Sequence, residues 1–170
     1  MILDSHLTLI DILLKIALPL FITFLISGFI GLERQNVGKS AGISSHILVA
    51  AAACGIAILQ RFMHEQQIVL QTTGIATDPE NQRLIAQVIT GVGFIGAGVI
   101  IKDQARDVVR GITTAATVWT VAMNGLILGS GYIVLGTLMG LFFVLFIAIR
   151  DINRGINPFK KQSQAVEDHD

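Results

Sequence analysis

Between Lys15 and Glu33 the chain runs for 17 residues, IALPLFITFLISGFIGL, without a single charge. Nothing else in the sequence constrains the fold so strongly, because a run of that length is either buried on every side by protein or dissolved in lipid. Four more runs follow it. ILVAAAACGIAILQ begins after His46, a third covers Leu84 to Ile101, a fourth Ile112 to Leu128, and a fifth Tyr132 to Ile149. A bilayer core needs roughly 20 apolar residues, within a range of about 17–25, and each run reaches that with help from its flanks. The pattern predicts an all-α, polytopic membrane helix bundle of about five short transmembrane helices. The second span is the shortest, and RFMHEQQIVL beyond it can extend the helix out of the bilayer.

Composition agrees. Charged residues make up 14% of the 170 and hydrophobic ones 52%, whereas soluble domains carry about 25% charge. The formal net charge of zero offers no footprint for nucleic acid. The amino end, MILDSHLTLID, lacks the basic region of a secretory signal, so the first span reads as an uncleaved anchor. Residues 1–150 form the expected transmembrane domain, and 151–170 a polar tail with a disordered composition. Lys and Arg fix the expected orientation. With five spans, nine of them (Arg34, Lys39, Lys102, Arg106, Arg110, Arg150, Arg154, Lys160 and Lys161) share one side, against Lys15, Arg61 and Arg83 on the other. That bias places the amino terminus outside and the carboxyl tail in the cytoplasm.

TGVGFIGAGVI, residues 90–100, contains Gly91-x-Gly93-x-x-Gly96, the spacing of a dinucleotide-binding loop. Only Val99, Ile100 and Ile101 separate Gly98 from the polar segment KDQARDVVR, so there is no room for the helix such a loop opens. On one continuous helix, at about 100° per residue, Gln87, Gly91 and Gly98 share a face, and Gly93, Gly96 and Ala97 lie opposite. Small residues let membrane helices approach closely, which predicts a central third span packed between two neighbours. The alternative is a broken helix that offers its carbonyls to an ion. Gly125-x3-Gly129, Gly136-x3-Gly140 and Ala53-x3-Ala57 repeat the small-residue spacing elsewhere, the three-residue GSG link predicts a helical hairpin for spans four and five, and Pro19 is expected to kink span one.

Arg110, Thr113, Thr117, Thr120 and Asn124 follow one another at intervals of 3, 4, 3 and 4 residues, which draws a polar stripe down span four with Thr114 beside it. Such a stripe either bonds neighbouring helices or lines a path for a solute. Glu33 and Arg34, in GLERQ, close span one on the side where Arg110 opens span four, so Glu33 is expected to pair with Arg110; Arg34, its sequence neighbour, points about 100° away. Asp103 and Asp107, and in the outer loop His64, Glu65, Asp78 and Glu80, lack metal-ligand spacing. No Ser–His–acid or Cys–His set is visible, nothing calls for a cofactor, and the lone Cys54 reads as an inert buried thiol. His46, opening span two, reads as a cap or anchor.

GLERQ, GKSAGISSHILV, QVITGVGFIGAGVIIK and VRGITTAATVWTVAMNGLILGSGYI together resemble the MgtC/SapB family of bacterial inner-membrane proteins, from about Gly28 to Tyr132. The resemblance marks Glu33, Arg34, His46, Gly91, Gly93, Gly96, Gly98, Arg110, Thr113, Thr114 and Trp119 as signature positions. Ser44-Ser45 stands where the family commonly has Arg-Thr, and the best-studied members add a soluble regulatory-type domain after the last span. Founding members are linked to growth in low magnesium and to virulence. The resemblance implies a regulator that contacts another membrane complex, the proton-translocating ATP synthase being the partner proposed for some members, with homo-oligomers also open. A carrier or channel using the stripe of Thr117, Thr120 and Asn124 is the alternative; an enzyme stands third.

Overall fold

The computed structural model describes residues 7–72, 74, 83–104, 107–153 and 155. It is a helix bundle: α1 (Leu9–Asn36), α2 (Ile43–Thr72), α3 (Arg83–Val99), α4 (Ile112–Gly129) and α5 (Ile133–Asn153), with a two-stranded antiparallel hairpin, β1 (Ile101–Asp103) and β2 (Val108–Arg110), between α3 and α4. Four helices are long and apolar enough to cross a membrane, and α3 is a shorter apolar helix of 17 residues. The second span is the longest helix, at 30 residues. His64 and Glu65 therefore sit on α2 and not in a loop. Helix α5 runs on to Asn153, three residues into the expected tail; the rest of that tail except Gly155, and the loop carrying Asp78 and Glu80, lie outside the described residues.

The central helix is α4, not α3. It touches each of the other four helices, and 61% of it is buried inside the protein, against 17% for the apolar windows of α1 and α5. It is also the least apolar of the four long helices, with a mean hydropathy of 1.4 against 2.4 for α1 and α5. The inversion is what a bilayer requires. Outer helices meet lipid and must be greasy, whereas a helix surrounded by protein can carry small and polar side chains.

Glycines set how closely that core closes. A Cβ at Gly125 would overlap the Ala50 carbonyl, and one at Gly129 would overlap the Cys54 carbonyl and lie 2.8 Å from the Ala57 Cβ, so α4 lies backbone-to-backbone on the Ala50–Ala57 stretch of α2. Gly136 and Gly140 of α5 admit Leu128 and Ile26 in the same way. Ile26, Ile30, Ala50, Val121, Leu128 and Ile147 fill the middle. The GSG link closes as predicted into a tight turn, with Gly131 at φ 96° and the Tyr132 N–H donating to the Ile127 carbonyl at 3.2 Å.

The glycines of α3 behave otherwise. Among the described residues, a Cβ at Gly91, Gly93 or Gly98 would meet nothing within 4 Å, while Gly96 is turned inward, where its Cβ would rest 3.8 Å from Ala115. Helix α3 thus packs on α4 through Val92 and Gly96 and leaves both flanking glycine strips exposed, with Phe94 standing between them at 83% exposure. Gly96→Leu is expected to overfill the α3–α4 contact and reduce membrane accumulation several-fold, while Gly96→Ala and Gly93→Leu accumulate normally. Immunoblots of membrane fractions check this.

Pro19 has a visible cost and a remedy. It has no N–H to give the Lys15 carbonyl, and the turn before it, Ile12–Ala17, is wound as a π-helix. The orphaned carbonyl accepts from Arg61 Nη2 of α2 at 2.5 Å. Lys15 pairs in turn with Glu65 at 3.4 Å, which ties the amino-terminal end of α1 to α2.

Candidate functional site: a buried charge cluster and a spent polar seam

At the other end of α1, Glu33 and Arg34 are almost wholly buried, and so is Asp151 of α5. Arg34 donates from Nε and Nη2 to the two carboxylate oxygens of Glu33, a bidentate pair between sequence neighbours. Arg150 Nη2 reaches Glu33 Oε1 at 3.3 Å and Asp151 Oδ1 at 2.7 Å. Arg34 Nη2 stands 3.9 Å from Asp151 Oδ2, too far for a hydrogen bond, and that oxygen is buried without a hydrogen-bond partner. Two carboxylates and two guanidiniums thus form a formally neutral cluster that binds the end of α1 to the end of α5. Charges at this depth are costly unless paired.

The expected partner of Glu33, Arg110, is elsewhere. Helix α4 begins only at Ile112, and Gly111, at φ 90°, turns the chain into it from β2. Arg110 therefore belongs to the hairpin, exposed, and not to the helical stripe. Arg34 wins because the guanidinium sits at the end of a long flexible stem, so the direction of its Cβ does not fix where the charge lands. In the sequence Arg150 stood out only as one of the nine basic residues sharing a side, and Asp151 fell in the polar tail. The signal that could have found them is that Arg150-Asp151 ends the last span on the same side as Glu33-Arg34 ends the first.

The rest of the stripe divides. Thr117 is buried, its Oγ1 lying 3.0 Å from His46 Nε2 and donating to the Thr114 carbonyl at 2.9 Å. His46, fully buried, holds the Gly42 carbonyl at 2.8 Å through Nδ1, so it anchors the start of α2 to the middle of α4. Asn124 donates from Nδ2 to the Gly136 carbonyl at 2.7 Å, across the α4–α5 turn, while its Oδ1 is buried and unpartnered. Thr114 is buried; Thr113 is exposed and Thr120 half-buried. Thr113, Thr117 and Thr120 border an apolar cavity of about 270 Å³ against Phe142 and Phe146, and Thr120 and Asn124 a second of about 430 Å³ beside the half-exposed Trp119. These are greasy clefts between helices, not one polar lane. Among the described residues no group of three His, Cys, Asp or Glu is placed to hold a metal ion.

The profile of the MgtC family matches residues 20–154. "Putative magnesium transporter YhiD" of Escherichia coli (strain K12) is 40% identical over 110 residues, covering 64% of this chain and 48% of that protein. "Protein SapB" of Bacillus subtilis (strain 168) is 40% identical over 122 residues, 72% of this chain and 49% of that one. "Protein MgtC" of Brucella abortus (strain 2308) is 36% identical over 110 residues, 65% and 40%. The chain spans about half or less of the length of these relatives. No solved structure gives a significant match. The matched region takes in all five helices from Leu20 onward, the charge cluster and the polar stripe; the chain is a multi-pass membrane protein and belongs to the MgtC family.

Proposed function

We propose that this chain is a non-catalytic regulatory protein of the bacterial inner membrane, with its amino terminus outside and its carboxyl tail in the cytoplasm, that serves magnesium homeostasis by contacting another membrane complex. The magnesium link rests on the relatives' names and on the family resemblance, which also offers ATP synthase as a partner. One observation carries the regulatory reading over a transport one: Thr117 and Asn124, two of the three buried polar residues of α4, are bonded to His46 and Gly136 inside the bundle. That bonding speaks against a continuous polar lane along the described part of α4. Conversely, the glycine strips of α3 are open, and a partner helix can lie closely against them.

The carrier reading keeps one observation in its favour, the unpartnered Asn124 Oδ1 beside the 430 Å³ cavity. A complementation test separates the two. In a host lacking its own family member, Gly91→Leu and Gly98→Leu are expected to accumulate normally, since nothing among the described residues meets them, yet to lose growth in low magnesium. If both variants support growth as the unaltered protein does, contact through α3 is refuted.

A further inference from the structure

The loop between α1 and α2, the β1–β2 hairpin and the first turn of α4 enclose a cavity of about 670 Å³ lined by Lys39, Ser40, Asp103, Arg110, Gly111 and Thr114, among others. We infer that this cavity seats the phosphate of an anionic lipid headgroup. Lys39 and Arg110 bring two cations to it, and neither makes an ion pair among the described residues. Asp103 is the one carboxylate in the same lining, so the two cations outnumber it. Helix α4 opens on Gly111 with no side-chain cap, and its first turn closes with the Ala115 N–H donating to Gly111 at 2.8 Å, which leaves earlier N–H groups facing the cavity end. Such a terminus favours anions. Thr114, 2% exposed, lines the cavity one turn into the helix and brings a hydroxyl to it.

The surroundings choose a lipid over a free anion. Ile100, Ile101, Val108, Val109 and Ile112 are all exposed around the hairpin and the start of α4. A soluble phosphate leaves those side chains in water, whereas a lipid covers them with its acyl chains while its phosphate meets Lys39 and Arg110. The same collar explains why so short a hairpin, at the end of two spans, carries β-branched residues and flanking basic groups together: it lies at the depth where hydrocarbon gives way to headgroups.

Native mass spectrometry of the detergent-purified protein, titrated with phosphatidylglycerol or phosphatidylcholine, tests this. Each basic side chain beside an anionic headgroup contributes about fivefold to affinity. Lys39→Gln is expected to weaken the tightest phosphatidylglycerol site about fivefold, and Lys39→Gln with Arg110→Gln about thirtyfold, with phosphatidylcholine binding unchanged. Both positions are exposed, so folding is preserved, and Lys15→Gln at the far end serves as the control. The inference is overturned if the double variant binds phosphatidylglycerol like the unaltered protein, or if inorganic phosphate at matched concentration displaces the lipid, which assigns the cavity to a free anion.

Discussion

Gly129→Leu is expected to remove most of the protein from the membrane fraction. The smallest added side chain already runs into the Cys54 carbonyl and Ala57 of α2, and a backbone carbonyl in a helix cannot rotate out of the way. Helices α2 and α4 would have to separate along the most extensive contact in the bundle. Overpacking costs about 1–3 kcal/mol where side chains can yield; against backbone the upper end applies, which corresponds to a fall of about 6–12 °C in melting temperature. Gly125→Leu should match it through the Ala50 carbonyl, and Gly129→Ala should lie between. Detergent-solubilised thermal melts and membrane immunoblots give the answer. Accumulation and melting equal to the unaltered protein would mean that α2 and α4 are not packed as described.

The second large effect is expected at Glu33. Glu33→Gln leaves the buried guanidinium of Arg34 and the partly exposed one of Arg150 sharing the single carboxylate of Asp151, and breaking a buried ion pair from one side costs about 3–5 kcal/mol. Arg34→Gln should be comparable, because its carboxylate partner is equally buried. Arg150→Gln should be milder, since its side chain is 16% exposed and water can reach the cluster when it goes. Arg110→Gln should leave stability unchanged. That order separates the observed cluster from a Glu33–Arg110 pair, which would make Arg110 as costly as Glu33.

Much of the bundle was legible because lipid imposes a simple rule on sequence. Charge-free runs marked the spans, and Gly125-x3-Gly129 and Gly136-x3-Gly140 marked close approaches that the structure contains. The misreading of α3 as the central helix has a physical root. Glycine permits close approach but does not say by what, so a glycine-rich face inside the bundle and one offered to a second protein look alike in sequence. The lower hydropathy of α4 was the better guide to the centre, since only a helix shielded by its neighbours can spend so many positions on threonine, alanine and asparagine.

The site was legible in part. Thr117 and Asn124 stood out by spacing, and both are bonded inside the bundle, but their partners were not readable: the His46 ring and the Gly136 carbonyl are 71 and 12 residues away. Arg110 was misassigned because helical spacing was carried one turn too far, past a glycine whose positive φ ends the helix. The strands around it were read as a polar loop, although Ile101, Val108 and Val109 carry the β-branched signature of a hairpin. Cys54, by contrast, is buried and free as its apolar setting implied.

Under the proposed function, the polar stripe of α4 holds the bundle together and conducts nothing. The most direct measurement is magnesium entry into proteoliposomes that contain the purified chain and a trapped magnesium-sensitive dye, driven by an inward gradient. Entry is expected to be no faster than into protein-free vesicles. Saturable magnesium entry that is lost in Thr117→Val or Asn124→Leu, with both variants still folded, would contradict it and make the stripe a conduit.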